Sequence, residues 1–106
     1  MTMKTYDLYG TSTITAEVLA RFLQSLLDIP FEPRRSAFVG NYYRASMGEE
    51  RFSVEPNADD ERDEEEPLEP EFADRTVLLY VDRTERAGQL ERMLVSIGGL
   101  ALLRRD

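Results

Sequence analysis

Residues 76–81 read T-V-L-L-Y-V, and residues 82–85 continue D-R-T-E. A short β-favouring run with apolar residues at both odd and even positions describes a central strand covered on two faces. Such a strand needs partners on each edge and cover on each side. Asp82 and Glu85 have the spacing of a capping box, with Thr84 as the other candidate cap, so a helix is expected to open there. Ala87, Leu90, Met93, Leu94 and Ile97 form its apolar stripe, and Gly98-Gly99 ends it because glycine tolerates a left-handed C-cap. Leu100 to Arg104 reads as a short last strand.

Working back from residue 76, Arg51 to Glu55 (R-F-S-V-E) alternates, which puts Phe52 and Val54 on one face, and Pro56 closes it. Met47-Gly48-Glu49-Glu50 is the hairpin turn that joins this strand to Ala37–Ser46 (A-F-V-G-N-Y-Y-R-A-S), with Gly40 as a bulge or close-approach point. Before it, Val18, Leu19, Phe22, Leu23, Leu26 and Leu27 recur at helical spacing, opposite Glu17, Arg21, Gln24 and Asp28. Thr11, Ser12, Thr13 and Thr15 are candidate N-caps, and Pro30 and Pro33 stop the helix. Thr5 to Tyr9 supplies the first strand. The order β-α-β-β-β-α-β predicts an α+β fold: a mostly antiparallel sheet of about five strands with two helices on one face, ferredoxin-like with an extra strand. Residues 1–106 are expected to form a single domain interrupted by one long acidic loop at 56–74.

Charge is unevenly spread. Residues 55–74 hold eleven carboxylates and one arginine, a charge of −10 in a chain whose total is −8, so the remaining 86 residues carry +2. The run is polar and interrupted by Pro67 and Pro70, and it buries too little apolar surface to offset its ordering entropy; a mobile loop is expected. So dense a negative field attracts a basic partner and speeds encounter with it, while repelling nucleic acid and anionic membranes. The candidate partner-binding residues are Asp59, Asp60, Glu61, Asp63, Glu64, Glu65, Glu66, Glu69 and Glu71. Leu68 and Phe72 are the large apolar side chains of the stretch, placed either to dock it on the domain or to insert into a partner. Tyr42 and Tyr43 point to opposite faces of a strand; Tyr43, next to Arg44, is assigned as an exposed interface anchor.

Catalysis finds no support in the residues. The chain has no histidine and no cysteine, which removes the usual neutral-pH base, thiolate ligands and disulfides. Its serines have no activating base or nucleophile elbow, and its single lysine is Lys4. Asn57, Asp59, Glu61, Asp63 and Glu65 alternate like the start of a calcium loop, but Arg62 stands where glycine is required and Leu68 where a bidentate glutamate belongs. No metal, cofactor or enzymatic activity is therefore assigned. Arg34, Arg35, Arg44 and Arg51 are close in sequence, and are expected to pair with loop carboxylates or stay solvated. No basic-then-apolar leader opens the chain and no run reaches the roughly 20 apolar residues of a bilayer span, so a cytoplasmic protein is expected.

Y-Y-R-A-S-M-G-E-E-R-F-S-V-E-P-N at 42–57, followed by acidic residues and then T-V-L-L-Y-V, resembles the immunity proteins of bacterial polymorphic toxin and contact-dependent inhibition systems. The likeness is one of size, charge and element order. It implies a stoichiometric inhibitor that binds a cognate toxin domain and blocks its active site or an essential surface; the charge reading adds that the toxin is basic, and a monomer or weak homodimer is expected. The alternatives are a DNA mimic that occupies a nucleic-acid-binding host protein, and a small regulatory ligand-binding domain.

Overall fold

The computed structural model describes residues 3–37, 39–57 and 67–106. Among them lie six strands and two α-helices: β1 Thr5–Thr11, α1 Ala16–Leu27, β2 Glu32–Ser36, β3 Gly40–Met47, β4 Glu50–Pro56, β5 Val77–Thr84, α2 Ala87–Leu94 and β6 Ala101–Arg105. A short 3-10 turn spans Pro70–Phe72. The strands form one sheet in the order β2-β3-β4-β5-β1-β6, with every neighbouring pair antiparallel. The fold is α+β, as expected, with β5 in the interior of the sheet.

Alternation along the strands sorts the two faces. Tyr9, Phe52, Val54, Val77, Leu79 and Val81 belong to one buried cluster with Leu19, Leu23 and Leu27 of α1 and Leu90 and Leu94 of α2. Both helices therefore cover the same face. Phe31 leans on Phe52, with ring centroids 6.1 Å apart. Leu8 and Leu78 point the other way, yet they are 1% and 0% exposed. The unbroken apolar run at 76–81 predicted this double-sided burial of β5.

Thr15 caps α1, its hydroxyl accepting the Val18 N–H at 3.3 Å. The helix ends at Asp28 in a left-handed conformation (φ 56°), whose N–H donates to the Gln24 carbonyl. The Gln24 side chain then accepts the Phe31 N–H at 3.0 Å and turns the chain into β2.

Three expectations need correction. The sheet has six strands rather than about five, because Glu32–Ser36 (E-P-R-R-S) pairs along β3 from Glu32↔Arg44 to Ser36↔Gly40. Its charges and its proline hide it from a propensity reading, but an edge strand with one free side tolerates both. The second helix does not open at 82–85. There β5 runs on to Thr84, whose hydroxyl accepts the Arg86 N–H at 3.1 Å, and α2 starts at Ala87 with no side-chain cap. That helix also ends at Leu94, short of Gly98-Gly99. Gly99 (φ 91°) turns the chain into β6, where a β-carbon would collide with the Thr13 hydroxyl.

Phe52 is fully buried between sheet and helices, so Phe52→Ala is expected to lower unfolding free energy by about 3–5 kcal/mol in urea titrations. Phe22→Ala, at a position 49% exposed, is expected to cost less than about 1 kcal/mol.

Candidate interaction surface

The acidic run leaves and rejoins the sheet at one point, and Asn57 is the clamp. Asn57 is 1% exposed at the end of β4. Its backbone N–H donates to the Thr76 carbonyl at 2.9 Å, and its carbonyl accepts the Leu68 N–H at 2.7 Å. Its side-chain oxygen accepts the Glu69 N–H at 2.8 Å. The side-chain nitrogen donates to the carbonyls of Phe72 at 2.9 Å and Arg75 at 2.8 Å, with a longer approach to that of Glu69. A buried amide engaging this many main-chain groups costs little desolvation free energy while paired, and much when removed. Thr76 continues the tie, its N–H donating to the Thr11 carbonyl at 3.0 Å. Residues 57 and 68 are thus held together whatever lies between them.

Of the residues assigned to partner binding, Asp59, Asp60, Glu61, Asp63, Glu64, Glu65 and Glu66 lie outside the described residues. Glu71 is exposed, and Asp74 beside it has a side chain 80% exposed. Glu69 is turned toward its own chain: its carboxylate takes Arg104 at 2.8 Å, and only 17% of its side chain reaches solvent. Burial, then the charges of Glu69 and Glu55, push the Tyr80 hydroxyl well above the ordinary tyrosine range. Phe72 is half-buried, its carbonyl bound by Asn57 and by the Arg75 N–H. Tyr43 packs against the helix-side core beside Ala45 and Val54, and Tyr42 takes the helix-free face. The alternation of the pair was legible in the sequence, but which tyrosine faced which way was set by β3's register with β4.

Two ion-pair sites were not foreseen. Asp7, 2% exposed, is bound by Arg105 through two hydrogen bonds of 2.9 and 3.0 Å, and Arg105 also reaches Glu91 at 2.9 Å. This ties β1 and β6 to α2. Hydrogen bonds from the guanidinium to Asp7 hold the Arg105 proton far more tightly than usual. Neighbouring Tyr9 is pushed up to about 12 by burial, with Asp7 adding to it. A lone Asp between Tyr and Leu in a strand gives no sign of a partner 98 positions away. The second site joins Glu50 to Arg86 at 2.7 Å and to the Thr84 hydroxyl at 2.7 Å, beside a polar cleft of about 590 Å3 lined also by Lys4, Met47 and Arg83.

Among the described residues no group of three carboxylates, histidines or cysteines is placed to hold a metal ion. None of their helices is long and apolar enough to cross a membrane. What the geometry offers is a clamp that fixes residues 57 and 68 beside each other, and a sheet face without a helix among the described residues. Comparison with protein-family models, with curated proteins and with solved structures gives no match to this chain.

Asn57→Ala takes the side-chain partner from the Glu69 N–H and the Arg75 carbonyl, and leaves the Phe72 carbonyl with the Arg75 N–H alone. It is expected to cost about 2–3 kcal/mol in thermal unfolding, with faster amide exchange at Glu69. Burial alone would raise the Glu50 carboxyl, but hydrogen bonds from Arg86 and Thr84 outweigh it and hold the group below its ordinary value. A depressed carboxyl contributes stability that is full above its unfolded-state value and is lost as pH falls through the folded one. Glu50→Gln is therefore expected to be less stable than the parent near neutral pH. Chemical denaturation should show that gap closing as pH falls below the carboxylate range of about 4.

Proposed function

We propose that this chain is a non-enzymatic binding protein of the immunity type, which neutralises a cognate basic toxin domain through its acidic segment. The observation that supports the reading most is the Asn57 clamp. It fixes both ends of a segment whose sequence carries most of the chain's negative charge, next to exposed Glu71 and Asp74. A charge cluster tethered at two points on a rigid sheet keeps its field localised, and a localised field steers association. Glu69 belongs to the clamp through Arg104, so recognition is assigned to the carboxylates at 59–66 together with Glu71. The final grip falls to apolar contacts near the anchor, with half-buried Phe72 the nearest large side chain.

The architecture fits that reading. Taken without β2 and β3, the order β6-β1-β5-β4 with two helices on one face corresponds to a ferredoxin-like sheet, and the β2–β3 hairpin extends it beyond β4. We read the fold as that plan with a lengthened edge.

The test is kinetic. Six carboxylates of Asp59–Glu66 are changed to Ser and Asn, and association with a cognate basic toxin domain is followed at low and high salt. The expected result is an on-rate lower by about tenfold or more at low salt, and a flattened salt dependence. An unchanged on-rate removes the acidic segment from recognition. Competition with DNA for several unrelated basic proteins would instead identify a polyanion mimic, because an immunity protein is selective for one partner.

A further inference from the structure

The helix-free face of β2–β5 carries two adjoining hollows that share Arg44 and Arg51. One, of about 300 Å3, is walled by Tyr42, the two arginines, Ser53 and Asp82. The other, of about 340 Å3, adds Glu32 and Arg34. Together they reach the size range of small-molecule sites, roughly 300–1,000 Å3. Register explains the arrangement: Arg44 lies opposite Ser53 and Arg51 opposite Ser46, so the two arginines are diagonal neighbours on one face. Long side chains at such positions are within reach of a common ligand.

The charges around them are already committed elsewhere. Glu32 is taken by Arg34 at 3.0 Å, and Glu55 accepts the Ser53 hydroxyl at 2.7 Å. Among the described residues neither the Arg44 nor the Arg51 guanidinium closes an ion pair. Asp82, across from Arg51, is the remaining carboxylate in the wall, and it too is without an ion pair among the described residues. Burial raises the Asp82 carboxyl above its ordinary value, against the lowering pull of Arg51, Arg83 and Arg44 nearby.

We infer that this face binds a small ligand bearing an oxyanion, a carboxylate or a phosphate, held between Arg44 and Arg51 with Tyr42 along its side. Guanidinium forks match the two oxygens of either group, and bidentate pairing of this kind is the strong form of a charge-assisted hydrogen bond. Asp82 is placed to accept a donor group on the same ligand. A small anion is favoured over a nucleic acid because the chain's total charge of −8 repels a polyanion. The inference does not rest on the acidic segment, since the residues and the readout are different.

The experiment is an NMR titration of the full chain with inorganic phosphate and, separately, with succinate, against sodium chloride at matched ionic strength. The expected result is saturable movement of the Arg44 and Arg51 Nε–Hε signals with at least one probe. The probe that saturates at lower concentration identifies the group as phosphate or carboxylate. Arg44→Gln and Arg51→Gln are each expected to weaken the response tenfold or more, while Arg92→Gln on α2 leaves it unchanged. Shifts that merely follow ionic strength, or that survive both glutamine variants, overturn the site. So would a response that appears only after Asp59, Asp60, Glu61 and Asp63 are neutralised, because the chain's own carboxylates would then be the occupants.

Discussion

A strand that is apolar on both faces cannot stop at one layer of cover, and this constraint organises the molecule. Val77, Leu79 and Val81 look toward the helices and Leu78 looks away, and none of the four is more than 7% exposed. Burying such side chains contributes about 1.5–3 kcal/mol each, and the contribution is lost wherever a face is left wet. The helices satisfy one side through Leu19, Leu23, Leu90 and Leu94. On the other side, Leu8 and Leu78 need separate shelter.

Part of that shelter comes from the end of the long β4–β5 connection. Arg104 reaches Glu69 across this end of the sheet, and the Arg75 side chain and Leu103 crowd the place where a β-carbon on Gly10 would stand. A connection that returns to the sheet has main-chain groups to satisfy, and Asn57 satisfies several of them at once. Cover for a two-faced strand, a clamp for the covering segment, and fixed ends for the acidic run are linked consequences. The far half of the same face, over β2–β4, lies beyond the described part of that segment, and there Arg44 and Arg51 close no ion pair among the described residues.

Much of the architecture could be read from residue patterns. The periodicity of Val18 to Leu27 marked α1, the alternation of Arg51 to Glu55 marked β4, and the density of residues 76–81 marked the interior strand. What escaped had two physical causes. Edge strand β2 pairs with its near neighbour β3, but its charges and proline hide it from a propensity reading, and α2 starts with no side-chain cap to announce it. The roles of Asp7, Glu50 and Glu69 escaped because each depends on an arginine 35 or more positions away.

Residue order and composition together determined the α+β class, the lack of histidine and cysteine, and the concentration of negative charge between two strands. Those properties depend on residue type and spacing, which folding does not alter. Only the tertiary structure decided which carboxylates turn inward, which tyrosine meets the core, and which arginines share the helix-free face. Each of those outcomes is set by strand register and by contacts between segments distant in the chain, and a shift of one residue in register would reverse it.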